Sequence, residues 1–179
     1  MANHIQKIQS TLKKHQSDVL DGYFIAKIEV RYRQKEKPGI SFKNLLNNIS
    51  SAIINELVSD NQIVNVVLIQ KNLDPLPQKL IDIPNQKPIL VKKFTLLALN
   101  QFLQISGDQN KIHFGENPVV PGLLILENLA ELFDLELMNF TIKFYNPLHL
   151  QNELTVYKTA EKELIGFNNN LILFKLNQK

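Results

Sequence analysis

Asp108 and His113 stand five residues apart in Ser106-Gly107-Asp108-Gln109-Asn110-Lys111-Ile112-His113, directly after an apolar helical pattern. A carboxylate and an imidazole aimed at one point can move a proton onto or off a substrate or a water molecule. On an uninterrupted α-helix the two positions would lie about 140° apart around the axis. They can share a target only if the chain leaves the helix near Gly107. Glycine is a common helix stop, so the spacing allows this. The residues alone also allow a plain helix end, with Asp108 and Asn110 as turn formers and His113 on the surface. Ser106 reads as a helix-end polar group, since no His/Asp relay for a nucleophile is visible beside it.

The elements that must position this segment are set by hydrophobic period. Upstream, Leu96, Leu97, Leu99, Phe102, Leu103 and Ile105 predict a helix over about 95–105, after a short strand near 89–94. Downstream, Pro118-Val119-Val120-Pro121 leads to Gly122 and a helix over about 122–134. That helix is apolar nearly all round (Leu123, Leu124, Ile125, Leu126, Leu129, Leu132) and so belongs inside a core. Strands are expected over 138–147 and 153–158. A turn at Asn168-Asn169-Asn170 precedes a last strand over 171–176.

The first part of the chain reads as an amphipathic helix over 4–20 and a strand over 23–33. Ser41 then N-caps a helix over about 42–58, and a second strand covers 62–71. Residues 72–88, with four prolines, read as a connection. Two units are expected, 1–84 and 85–179. A buried helix wrapped by consecutive antiparallel strands is an α+β architecture.

Composition narrows the chemistry. The chain has 179 residues, 44% hydrophobic and 21% charged, the profile of an ordinary globular protein. A net charge of +3, evenly spread, does not argue for nucleic acid. There are no cysteines, which excludes thiolate chemistry, disulfides and thiolate metal sites. No two histidines have ligand spacing, so no metal is expected. His4 and His15 read as solvated and His149 as an edge residue. Arg31, Arg33, Lys35 and Lys37 read as a solvated basic face, with a contact to ligand phosphates as the lesser alternative. The N-terminus lacks the apolar core of a signal peptide, and no apolar run approaches the roughly 20 residues of a membrane span. A cytoplasmic location is the expectation.

Three segments resemble, in order, the MaoC-like or (R)-specific enoyl-CoA hydratase family of hot-dog proteins. They are Phe102 to His113, Pro118 to Leu124, and Lys143-Phe144-Tyr145-Asn146-Pro147-Leu148 with Glu153-Leu154-Thr155-Val156. The resemblance covers about residues 89–158. It implies a hot-dog fold, with 1–84 as an N-terminal helix plus a degenerate hot-dog-like half over 23–71. It also implies hydration of 2-enoyl thioesters, or dehydration of 3-hydroxyacyl thioesters, on CoA or a carrier protein, with no further cofactor. By motif position Asp108 would be the base and His113 would hold the water and act as the acid. Asn110, Gly122 and Leu123 would meet the substrate, with backbone N–H groups at the helix start aimed at the thioester oxygen. Glycine at 122 would leave that approach open. A homodimer, or a pseudo-dimer within one chain, is implied. The chain departs from the pattern at Lys111 (proline in the family), at Pro121 (histidine) and at Gln151-Asn152 (Gly-Asp). The connection from His113 to Gly122 is shorter, which implies a differently shaped pocket. A non-catalytic acyl-binding or assembly subunit and a thioesterase are the alternatives on the same fold.

Overall fold

The structure is a computed structural model that describes residues 9–10, 13, 23–32, 39–45, 49–59, 62–70, 84–132 and 139–179. Among these, nine strands form one sheet: β1 (Tyr23–Tyr32), β2 (Gly39–Leu45), β3 (Ile49–Ser59), β4 (Gln62–Gln70), β5 (Leu90–Lys93), β6 (Phe140–Phe144), β7 (Glu153–Ala160), β8 (Glu163–Asn168) and β9 (Leu171–Gln178). Their order across the sheet is β2-β3-β4-β1-β6-β9-β8-β7-β5. Every neighbouring pair is antiparallel. The helices α1 (Leu96–Ser106) and α2 (Gly122–Leu132) accompany the sheet.

Side-chain alternation explains how the sheet meets the helices. Leu154 and Val156 of β7, Leu164 of β8, Phe140 and Ile142 of β6, and Ile28 and Val30 of β1 join one core with Leu99, Phe102 and Leu103 of α1. From α2, Leu123, Leu124, Ile125, Leu126 and Leu129 enter the same core. α2 is thus the buried central helix that its all-round apolar sequence predicts. Each such side chain, fully buried, contributes roughly 1.5–3 kcal/mol. A bulge interrupts β9: Gly166 pairs with Phe174 and Phe167 with Ile172, skipping Leu173. Leu173 and Phe174 thus both reach the main core, while Ile172 joins Tyr157, Ile165 and Phe167 in a second cluster.

β1 joins the two parts of the chain. It pairs with β4 on one side and β6 on the other, with Ile28 opposite Ile142 and Glu29 opposite Thr141. Glu29 is held by Lys27 at 2.8 Å and Lys179 at 2.7 Å, which fixes the chain's last residue to β1.

One expectation fails outright. The helix predicted over 42–58 is an antiparallel hairpin, with Ser41 opposite Ile53 and Leu45 opposite Ile49. The apolar spacing in this stretch fits a helix, but Ile49, Ile53, Ile54 and Val58 are β-branched and lose rotamer freedom there. β3 also pairs with β4 along nearly its whole length, a tertiary partner that outweighs a local period. β8 has no counterpart among the expected elements, because Glu163–Asn168 is short and carries Gly166. Of the helix expected over 4–20, residues 9, 10 and 13 are described, and they are helical. Residues 71–83 of the expected connection lie outside the described residues; 84–88 form neither helix nor strand. No helix among the described residues is long and apolar enough to cross a membrane.

Candidate active site

α1 is defined at both ends by its own sequence. Thr95 caps the start, its hydroxyl accepting from the Ala98 N–H at 3.1 Å. At the other end Gly107 takes the left-handed conformation at φ 66° and donates its N–H to the Leu103 carbonyl at 2.8 Å. The chain therefore leaves the helix one residue before Asp108, as convergence of the pair requires.

Beyond Gly107 the loop is held by a run of short local hydrogen bonds. The Asp108 N–H donates to Ser106 Oγ at 3.2 Å, and the Asn110 N–H donates to Asp108 Oδ1 at 3.0 Å. Asn110 Oδ1 accepts from the Ile112 N–H at 3.4 Å and caps a single 3-10 turn, Lys111–His113. Asn and Asp favour such turns because their short side chains hydrogen-bond the backbone two residues on. Asn110 Nδ2 reaches out of the loop and donates to the Tyr23 carbonyl at 2.7 Å, where β1 begins.

This turn brings His113 Nε2 to 3.5 Å from Asp108 Oδ2. His113 is 7% exposed, so the plain surface histidine is excluded. Its Nδ1 lies 2.7 Å from the Val119 carbonyl oxygen. A carbonyl can only accept, so Nδ1 carries the proton. Burial pushes the imidazole below its usual pKa; the Asp108 charge and the Val119 carbonyl oppose this without overcoming it. His113 is therefore neutral near pH 7, with a lone pair on Nε2. Two acceptors, Nε2 and Oδ2, then face one another, and a water molecule with its two O–H bonds could donate to both.

Val119 is itself clamped. Its N–H donates to the Ile112 carbonyl at 2.9 Å. The flanking residues pair with 148–150 through Val120 N–H to Leu148 O at 2.7 Å and Leu150 N–H to Pro118 O at 2.9 Å. His149 Nδ1 lies 3.2 Å from the Asn117 carbonyl, at the rim of this clamp. Sequence reasoning could not find the Val119 or Tyr23 carbonyls, since backbone groups leave no residue-type signal.

α2 starts where expected, at Gly122, with the Ile125 N–H on the Pro121 carbonyl at 3.2 Å. Glycine there has a packing reason as well. A Cβ at 122 would stand 3.1 Å from the Phe144 ring, which would have to give by a few tenths of an ångström to admit it. Leu123 is buried in the main core. Asn110 has both polar ends of its side chain engaged within the protein, at Tyr23 and Ile112.

Comparison with known proteins agrees on shape. No protein-family model matches the chain. HtdX from Mycobacterium tuberculosis superposes over 97% of this chain and 84% of its own, with a TM-score of 0.65 at 13% identity. Peroxisomal multifunctional enzyme type 2 from Drosophila melanogaster covers 98% of this chain and 40% of its own, with a TM-score of 0.57 at 10% identity. In sequence, 3-hydroxyacyl-acyl-carrier-protein dehydratase FabZ from Bartonella bacilliformis is 34% identical over 65 residues. That match spans 28% of this chain and 42% of the enzyme, so less than half of the curated relative is represented. The sheet, its buried helix and the structural neighbours show that this chain has a hot-dog fold.

Proposed function

We propose that the protein adds water to 2-enoyl thioesters, or removes it from 3-hydroxyacyl thioesters, using Asp108 and His113. The observation that carries this reading is the pair itself: Nε2 and Oδ2 are 3.5 Å apart, with the imidazole tautomer set by Val119. The partial likeness to a dehydratase acting on carrier-bound 3-hydroxyacyl groups supports the same chemistry.

In the hydration direction, one water donates hydrogen bonds to Asp108 Oδ2 and His113 Nε2. Its oxygen bonds to the β-carbon as one O–H bond breaks, and that proton goes to Asp108. The electron pair of the double bond moves onto the thioester oxygen as an enolate. The proton crosses to His113 Nε2 and then bonds to the α-carbon, while the enolate electrons return. The product keeps the hydroxyl, and both side chains end as they began. Burial disfavours the imidazolium, which makes it a willing acid at the last step. The first-turn N–H groups of α2 lack partners within the helix, and their positive end suits a developing oxyanion. Donors placed for such a charge can be worth roughly 3–4 kcal/mol. No cofactor is needed beyond the CoA or phosphopantetheine that carries the acyl group.

Residues 1–84 would stand in for a partner subunit, since β1 continues the sheet of 85–179 through β6. The test is direct. The purified protein should consume the conjugated absorbance of crotonyl-CoA and longer enoyl-CoAs without releasing thiol. Free thiol detected by a thiol-reactive dye would assign the fold to a thioesterase. Binding without either reaction would assign it to an acyl-binding subunit.

A further inference from the structure

Three contacts from the first 23 residues meet the elements that build the candidate site. Gln9, itself buried, donates from Nε2 to Glu127 Oε1 on α2 at 2.8 Å. Lys13, exposed and helical, lays its tail across Gly107: a Cβ there would stand 2.9 Å from its Cε and 3.0 Å from its Nζ. The Tyr23 carbonyl, at the start of β1, holds Asn110 Nδ2 at 2.7 Å. Gln9 and Lys13 are four positions apart, which puts them on one face of a helix.

We infer that Gln9, Lys13 and Tyr23 together act as a positioning strap for the Asp108–His113 loop, Lys13 gripping it at Gly107 and Tyr23 at Asn110. The two grips act on different ends of the same turn. Gly107 is the residue where α1 stops, and the last carbonyls of a helix carry partial negative charge. The Lys13 ammonium lies at that end from outside α1, which has no basic residue in its own last turn. It complements those carbonyls and fixes the point from which Asp108 departs. Glycine at 107 therefore serves twice: it takes a positive φ, and it leaves room for the lysine tail.

Asn110 is the second grip. It caps the turn that carries His113, and its N–H holds Asp108 Oδ1. Its tie to Tyr23 connects both members of the pair to a strand in the middle of the sheet. Gln9 seats the strap on α2, whose start is the proposed donor for the thioester. A loop with only local hydrogen bonds would let the 3.5 Å separation drift, and small misplacements of reacting groups can cost about a hundredfold in rate. None of the strap residues need touch substrate.

The catalytic consequence rests on the proposed hydratase reading, so the experiment has a readout that does not need turnover. Amide exchange by NMR follows Gly107 and His113, whose N–H groups bond to Leu103 and Asn110 in the intact loop. Lys13→Met should speed exchange at Gly107 by about two- to fivefold, and Lys13→Arg should restore it, because the cation is what acts. Asn110→Ala should speed exchange at His113 by about tenfold or more and shift the imidazole titration of His113. In turnover, both variants should lower kcat while KM stays near its original value. Lys13 is exposed, so its variants keep the fold. Wild-type exchange at Gly107 in Lys13→Met, together with an unmoved His113 titration in Asn110→Ala, overturns the strap even if hydration is confirmed. Altered exchange in a protein that hydrates nothing upholds the strap and discards the hydratase. A raised KM with unchanged kcat would make these residues substrate contacts and also overturn it.

Discussion

Replacing Asp108 by asparagine separates chemistry from geometry at this site. The amide oxygen can still accept from the Asn110 N–H, now 3.0 Å from Oδ1, so the turn keeps its shape. The amide NH2 then takes the place of Oδ2, 3.5 Å from His113 Nε2. Nε2 is an acceptor, because Nδ1–H is already committed to Val119. The new donor pairs with it and closes the space where water would sit. The variant thus loses its base and its water together, without a new void. Loss of a positioned general base is worth about 10²–10⁴ in rate, or about 3–5 kcal/mol of barrier. Stability should change by less than about 1 kcal/mol, since one acceptor is exchanged for a paired donor. The assay is crotonyl-CoA hydration at saturating substrate, with thermal unfolding as control. A kcat within twofold of wild type, in a folded protein, refutes the assignment of Asp108 as base.

Three further outcomes are expected. Gly166→Ala should destabilise strongly, because its Cβ would enter the ring of Phe174, which is fully buried and cannot retreat. About 1–3 kcal/mol or more is expected, read as a melting temperature lower by about 2–12 °C. His113 has its pKa lowered by burial, so the unfolded chain takes up a proton that the folded one resists. Its contribution should therefore make stability fall as pH drops below about 6.5 toward the lowered folded pKa, and His113→Gln should flatten that part of a denaturation-versus-pH curve. Glu29 has a lowered pKa as well, but for a carboxylate the lowering marks a stabilised charge. Burial raises its pKa, but hydrogen bonds and charge from Lys179 and Lys27 outweigh this and bring it down to about 2 from 4.5. The stability it confers is present above about pH 4.5 and is lost as pH falls toward 2. Because Lys179 is 52% exposed, the difference from Glu29→Gln should be at most about 1 kcal/mol at pH 7 and vanish near pH 2.

Much of the second half was legible in the residues. Leu99, Phe102 and Leu103 recur at helical spacing and form the core-facing side of α1. Gly107 marks the helix end, and Asp108 and Asn110 are turn formers that do form the turn. These features are local: each depends on neighbours within about four positions, and the sequence records those neighbours directly. The hairpin of β2 and β3 was not legible, because its apolar spacing points to a helix while Ile49, Ile53, Ile54 and Val58 favour a strand. Only the edge of β4, distant in space until the chain folds, chooses between them.

The sequence by itself determined which residue types could do chemistry, and where the helix must end for them to converge. It also determined which helix is apolar enough to be buried. Tertiary structure alone decided that His113 is enclosed and, by burial, neutral, and that its Nδ1 proton is held by a carbonyl six residues away that no side chain announces. It alone packed Phe144 close beside Gly122, and brought Lys13 and Tyr23 to the loop. The physical reason is common to all of these. Burial, dielectric and long-range hydrogen bonds belong to the assembled molecule, because they depend on what the rest of the chain removes from water.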